Sequence, residues 1–226
     1  MVEGLRKIKQ VSEIVVITNG TLLTKDKIDN LEKAGLTRIN LSLHSMNKEK
    51  SRKLFGMPNY DVDKVLDMIN YITKSKIKLL LTPVWLPGVN DEDIEEIIEL
   101  SKNIDCGIGL QKYEVYPHSR KMSGAKKVNY WKFYNKVKKL EEEYKIKLKV
   151  TMDDFKVERR NRIPEVFEIG EMLNAEILCD GWFPGQKIGK AGGRCISIND
   201  CDKEEGEMVR VKILQNKNSL YLAECA

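Results

Sequence analysis

Apolar and polar positions in the first half of the chain repeat as a unit: a short apolar run, a small polar turn, then a stretch of helical period. The first run, Ile14-Val-Val-Ile17, reads as a strand covered on both faces, and Thr18, Asn19 and Gly20 stop it. Ahead of it, Val2 to Gln10 has a short amphipathic pattern. A helix follows from about Lys25 to Ala34, with Thr24 as N-cap and Gly35 at the closing position. Arg38 to His44 alternates as a second strand. Between Asp61 and Lys74, Val62, Val65, Leu66, Ile69 and Ile72 share one helical face. Ile77 to Val84 is the third strand, broken at Trp85-Leu-Pro-Gly88. Asn90 and Asp93 then form a capping pair for a helix through Ile94, Ile97, Ile98 and Leu100. The fourth strand lies near Gly107 to Val115, followed by a basic amphipathic helix from Trp131 to Tyr144 and a short strand from Ile146 to Val150.

Four such units in series predict a parallel sheet with right-handed crossovers, either doubly wound or part of a barrel. Asp153 to Gly170 is polar and irregular, as a connector would be. From Ala175 the texture changes to short alternating runs, Ala175 to Cys179, Arg194 to Ile198, Glu207 to Leu214 and Ser219 to Glu224, separated by turns rich in glycine and asparagine. That pattern predicts a small antiparallel barrel or sandwich, with the domain boundary near Gly170.

Composition adds little to the fold but narrows the setting. At 226 residues and 42% hydrophobic the chain can bury a substantial core. No apolar run approaches a membrane span and the first residues lack the apolar core of a signal peptide, so a cytoplasmic protein without membrane contact is expected. Five cysteines, Cys106, Cys179, Cys195, Cys201 and Cys225, are an odd number for a disulfide framework. Their spacing favours no metal site, and they are expected as small core residues. The net charge of +5 is unevenly placed: fifteen basic residues stand against six acidic ones from Arg120 to Arg162. Such a surplus suits an anionic partner.

Chemistry in a parallel α/β sheet sits at the carboxyl ends of the strands. Here those ends are Thr18 to Gly20, Ser42 to Ser45, Pro83 to Gly88 and Gln111 to His118. Small residues admit a ligand to the backbone, Ser and Asn bind hydroxyls or carboxylates, and Trp85 or Tyr113 offers a ring for stacking. His118 stands apart from the second histidine, without ligand spacing, and suggests an incidental role. Trp182 and Phe183 are expected to pack in a core or turn, and Gly185, Gly189, Gly192 and Gly193 read as β-turns.

Ile17-Thr-Asn-Gly-Thr-Leu-Leu23, Asn40-Leu-Ser-Leu-His-Ser45 and Leu81-Thr-Pro-Val-Trp-Leu-Pro-Gly-Val-Asn-Asp91 resemble successive strand ends of the radical S-adenosylmethionine (SAM) enzymes, over about residues 11 to 120. The resemblance implies an α/β fold, a partial (βα) barrel of parallel strands at 1–170 with these as its third to sixth strands; the alternating runs beyond it read separately as a small all-β barrel at 171–226. It also implies SAM and a [4Fe-4S] cluster held by a CxxxCxxC motif, which together yield a 5′-deoxyadenosyl radical. Carried over by position, Thr18 and Asn19 would lie near the methionine end of SAM, with Gly20 of the same turn a further cofactor-binding candidate. Ser42, His44 and Ser45 line its ribose and methionine region, Val84 and Trp85 its adenine side, and Gln111 and Tyr113 the wall of the sixth strand.

The chain departs from that family before Ile14, where no CxxxCxxC stands. The cluster is therefore expected only if an N-terminal segment on another chain supplies it, and that segment, or a second copy of this chain, would cover the open barrel edge. No catalytic residue is assigned. Gly206 to Leu214 and Leu220 to Glu224 resemble the TRAM domain, a small barrel attached to RNA-modifying enzymes. Seven basic against eight acidic residues from Ala175 onward make it an unusual RNA surface. Lys126, Lys127, Lys132 and Lys136, with Lys187, Lys190 and Arg194 from the barrel, are the nucleic-acid candidates. The reading is the cluster-lacking C-terminal portion of a radical SAM-like enzyme modifying RNA or a component of translation. The alternative is a non-catalytic RNA-binding or adaptor module.

Overall fold

The computed structural model describes residues 1–116, 119–155 and 161–226. The chain divides into two compact units, Met1–Lys156 and Val157–Ala226, ahead of the Gly170 boundary read from the sequence. The reason is local. Within the second unit, Phe167 is buried in the barrel core, Asn216 donates to its carbonyl, and the Gly170 N–H donates to the Ile213 carbonyl at 2.7 Å.

In the first unit, α1 (Val2–Arg6) precedes β1 (Val15–Thr18), α2 (Lys25–Lys33) and β2 (Arg38–Leu41). Then come α3 (Lys48–Phe55), α4 (Val62–Ile72), β3 (Lys78–Leu81), β4 (Val84–Trp85), α5 (Asp91–Asn103), β5 (Gly107–Ile108), β6 (Gln111–Lys112) and α6 (Tyr130–Tyr144). Strands β1-β2-β3-β5 form one parallel sheet in that order, and β4-β6 a second parallel pair. Parallel strands joined by helices are what the repeated apolar unit predicts. Two of the expected strands are interrupted: the third breaks at Thr82-Pro83 and the fourth at Gly109-Leu110, so each continues as a short second piece. Pro83 has no N–H to give a ladder. At Gly109 a Cβ would lie 2.6 Å from Val150 Cγ2, so only glycine passes there.

Alternation along β2 assigns its faces. Ile39, Leu41 and Leu43 are fully buried in a core shared with Ile28, Val65, Ile69, Ile72, Ile94, Ile97 and Ile98 of the helices. Asn40, Ser42 and His44 belong to the opposite face. β1 is the outer strand of its sheet, and Ile17, opposite Asn40, is 75% exposed. The expected strand at Ile146 to Val150 is present only as an extended segment whose Leu148 carbonyl accepts the Leu110 N–H.

The second unit is a closed barrel of β7 (Met172–Asp180), β8 (Lys187–Ala191), β9 (Arg194–Asn199), β10 (Met208–Gln215) and β11 (Tyr221–Cys225), in the ring order β10-β11-β9-β8-β7. All pairings are antiparallel except β9 with β11. Ala175, Ile177, Ile196, Ile198, Val211, Ile213 and Ala223 fill it. β8 departs from the sequence pattern, in which Gly189 reads as a turn residue. Inside this narrow ring it is required: a Cβ there would meet Ile198 Cδ1 at 2.7 Å.

Ile213→Ala removes three buried carbons from the barrel and should cost it about 2–4 kcal/mol. Calorimetry is expected to resolve two transitions and to show only the barrel's moving down. A single transition, or equal shifts of both, would contradict two self-contained cores.

Candidate functional site at the carboxyl edge of the sheet

Because β1, β2, β3, β5 and the β4–β6 pair all run parallel within their ladders, their carboxyl ends collect on one edge. The ladder passes from Thr18 opposite Leu41 to Leu41 opposite Leu81, and resumes with Val84 opposite Gln111. The Gln111 N–H donates to the Pro83 carbonyl at 2.8 Å, which bridges the break. The backbone therefore brings all ten sequence candidates for cofactor binding to this edge: Thr18, Asn19, Gly20, Ser42, His44, Ser45, Val84, Trp85, Gln111 and Tyr113.

Their side chains divide into groups. Thr18 Oγ1 accepts the Gly20 N–H at 3.1 Å, and Asn19 Oδ1 accepts both the Thr21 N–H (3.2 Å) and its hydroxyl (2.8 Å), so these two shape their own turn. Gly20 is buried at φ +82°, where a Cβ would lie 3.0 Å from Val65 Cγ1. The Asn19 carbonyl accepts the hydroxyl of buried Tyr60 at 3.1 Å. Tyr60 stacks on Phe55 (4.2 Å between centroids), and Phe55 stacks on His44 (4.6 Å). A column of three rings thus ties the end of β1 to the end of β2. Tyr60 and Phe55 carry no sequence signal of this role: Phe55 ends α3, which has little apolar periodicity, and Tyr60 lies in the turn after it.

His44 Nδ1 accepts the Val84 N–H at 3.2 Å, which places the proton of the neutral ring on Nε2. Burial lowers its pKa to about 4, against a smaller raising effect from the Leu43 backbone. His44 is therefore a neutral ring at physiological pH, with a hydrogen bond to the Leu43 backbone as the smaller, opposing influence.

Other candidates are engaged in the scaffold. Ser45 is fully buried and donates to Asp93, which also holds Lys50. Asp93 is thus no capping partner for Asn90, contrary to the expectation from sequence. Asn90 also makes no cap: its Oδ1 accepts the Leu86 N–H (2.7 Å), and its Nδ2 donates to the carbonyls of His44 (3.0 Å) and Val84 (2.9 Å). The Trp85 indole points into the core, stacked on Phe133 at 6.2 Å and donating to Asp91 at 2.8 Å, so it offers the edge only its backbone. Tyr113 accepts the Met122 N–H at 3.0 Å, Ser42 is half-buried and Gln111 exposed. Arg120 closes the C-terminus of α3 by donating to the carbonyls of Lys53 and Leu54. Groups left to meet a ligand are the His44 ring, the Ser42 and Tyr113 hydroxyls, the Gln111 amide and the backbone of the Thr18–Gly20 turn.

The basic candidates are less uniform than the sequence suggests. Lys136 pairs with Glu95 (3.5 Å), Lys187 with Asp180 (2.7 Å), and Arg194 donates to the Pro164 carbonyl. Lys126, Lys127, Lys132 and Lys190 are exposed, with no carboxylate within 4 Å among the described residues. Trp182, expected to be packed, is 89% exposed. Pro117 and His118, and Lys156, Arg159 and Arg160 of the basic stretch, lie outside the described residues.

The cysteines depart from expectation in the same direction. Cys179, Cys195 and Cys225 are exposed, Cys106 is half-buried and only Cys201 is in a core. Cys106 precedes β5, at the amino end of the sheet, with its thiol pushed up to about 12 by burial. The other four belong to the barrel unit. Among the described residues no group of three His, Cys, Asp or Glu side chains converges on one point. The cysteines present therefore do not fit an iron–sulfur cluster at the carboxyl edge.

The His44 pKa sets a pH dependence. The unfolded chain takes up this proton below about pH 6.5 and the folded chain only below about 4, so the contribution is complete above 6.5 and is lost as pH falls between the two, about 3 kcal/mol in all. In an NMR titration the His44 ring should stay neutral down to pH 5, and His44→Gln should flatten the stability profile between 6.5 and 4. A ring titrating near 6.5 would refute the assignment.

The profile of the Radical SAM superfamily matches residues 1–101. An uncharacterized protein of Methanocaldococcus jannaschii is 36% identical over 231 residues, covering 92% of this chain and 53% of that one. The probable GTP 3',8-cyclase of Pyrococcus abyssi is 30% identical over 165 residues, 72% of this chain and 50% of that one. The chain spans about half the length of these curated relatives. The crystal structure of Streptococcus suis SuiB superposes on 61% of this chain and 32% of that one, with a TM-score of 0.47 and 16% identity. Over residues 1–101, within its α/β unit, this chain is similar to the Radical SAM superfamily.

Proposed function

We propose that the α/β unit binds SAM along its carboxyl edge and is the cofactor-binding part of a radical SAM enzyme. The observation that carries this is the neutral His44 ring, held by the Val84 N–H and joined through Phe55 and Tyr60 to the tight Thr18–Gly20 turn. The residues present fit SAM: an imidazole ring, two hydroxyls, an amide and turn N–H groups suit the carboxylate of its methionine and the hydroxyls of its ribose. Gly20 lets the β1 turn come close without a side chain between. When bound, SAM supplies an activated carbon–sulfur bond at its sulfonium. This chain's residues orient it: His44 through its ring, Ser42 through its hydroxyl, and the ring column by keeping water from one side of His44.

Isothermal titration under anaerobic conditions, without iron, should detect SAM binding. His44→Ala should weaken it about tenfold, the worth of one hydrogen bond in a partly buried site. No heat of binding, or an unaffected variant, would count against the reading.

RNA, or a component of translation, is the substrate reading that follows from the TRAM-like tail. Five-stranded Greek-key barrels of the OB type bind oligonucleotides on their second and third strands. In this ring those are β8 and β9, which carry Lys187, Lys190 and Arg194. The same observation favours the second reading, an RNA-binding adaptor that keeps the fold without the chemistry; salt-sensitive RNA binding without SAM binding would select it. The relatives named GTP 3',8-cyclase suggest a nucleoside triphosphate instead.

The open side of β1, with Ile17 exposed, supports a covering partner, either an N-terminal barrel segment or a second copy of this chain. Sedimentation of the chain alone should then show self-association, and a well-behaved monomer at high concentration would remove that support.

A further inference from the structure

We propose that the outer face of α6 is a stacking site for single-stranded nucleic acid, anchored by Trp131. This rests on the RNA reading above and assigns it a place and a mode that the barrel does not provide.

The packing of α6 leaves its aromatics free for such a role. Phe133, Val137 and Leu140 recur at helical spacing and are 4%, 2% and 1% exposed, and together with half-buried Tyr144 they meet the core. Trp131, Tyr130 and Tyr134 lie outside that stripe at 71%, 59% and 43% exposure. Leaving a whole indole in water forgoes burial that most tryptophans obtain, and the fold gains nothing from it.

The surroundings of Trp131 fit a polyanion with flat rings. A shallow depression of about 510 Å³ runs along the face, lined by Trp131, Asn135 and four lysines, Lys132, Lys136, Lys138 and Lys139, with Glu142 as its one acid. Lys136 is committed to Glu95, while the Lys138–Glu142 pair at 3.8 Å is fully solvated and exchanges readily for a phosphate. Next to Trp131, Tyr130 and Tyr134 stack at 6.1 Å, capped by Lys112 over Tyr130 (4.7 Å) and Lys149 over Tyr134 (4.9 Å). Their faces are taken, so they brace the helix surface, and the indole remains as the open π-face. A base stacks on that face whatever its identity, while the lysines follow the backbone phosphates.

A basic helix with a tryptophan also suggests a lipid surface, but that requires an apolar stripe turned outward. Here the stripe is buried. Duplex nucleic acid is also disfavoured, since its bases are already stacked on each other and offer the indole no face.

The test uses the full chain and a fluorescein-labelled 12-nucleotide single-stranded RNA of mixed sequence, read by anisotropy at several salt concentrations. Trp131→Ala should weaken binding at least about fivefold, and Trp131→Phe should restore most of the loss. Replacing Lys138 and Lys139 by glutamine should lower the slope of log affinity against log salt by about 1.4. Both positions are exposed, so thermal unfolding should be unchanged. RNA binding that is untouched by Trp131→Ala, or equal for the duplex of the same sequence, overturns this site and leaves the RNA reading standing. No RNA binding by the unmodified chain overturns both, as does binding only to phosphatidylserine vesicles.

Discussion

The carboxyl edge depends on one side chain. Where the third strand breaks at Pro83, three backbone groups lose their ladder partners, and the Asn90 amide meets all of them: the Leu86 N–H and the carbonyls of His44 and Val84. Asn90 is itself fully buried at the start of α5. It thus welds the end of β2, the displaced strand β4 and a helix N-terminus into one piece. The imidazole position follows, since the Val84 N–H that orients His44 belongs to the same short segment. A buried polar group of this kind is stable only when every valence is met, which gives the break a single geometry.

Around that weld the edge is polar but nearly uncharged. Asp93 is spent on Ser45 and Lys50, and Asp91 on the Trp85 indole and the Gly88 N–H. His44 is held neutral by burial. What faces outward is hydroxyl, amide and imidazole. Such a surface recognises a ligand by hydrogen-bond pattern and shape, and it leaves net charge to the ligand and to α6.

How much of this was legible in the sequence depended on the range of the forces involved. Strands β1, β2 and β3, helices α2, α4 and α6 and the cap at Thr24 follow from local periodicity and local hydrogen bonds, and they are where the pattern puts them, although β1, which reads as covered on both faces, leaves Ile17 exposed. The strand ends gathered as expected because parallel pairing leaves no other arrangement. What failed was set by contacts distant in the chain. Asn90 has the sequence of a cap but bonds across to β2 and β4. Trp85 reads as a surface ring beside Pro87-Gly88 but is drawn into the core by Phe133 and Asp91. Gly189 reads as a turn but is a strand residue thinned to fit Ile198. α3 was missed because its eight residues hold only two large hydrophobics, Leu54 and Phe55, and it is stable through Asn47, Arg120 and the ring column.

The parallel pairing of β9 with β11 has a cause that is arithmetical before it is chemical. In a closed ring of strands, neighbours can alternate in direction all the way round only if their number is even. With five, parity forces at least one pair to run the same way, and Tyr221–Cys225 alongside Arg194–Asn199 is that seam. Parallel ladders are slightly weaker per residue than antiparallel ones. The odd strand count thus leaves this one ladder of the ring with the evenly spaced, slanted hydrogen bonds of parallel pairing.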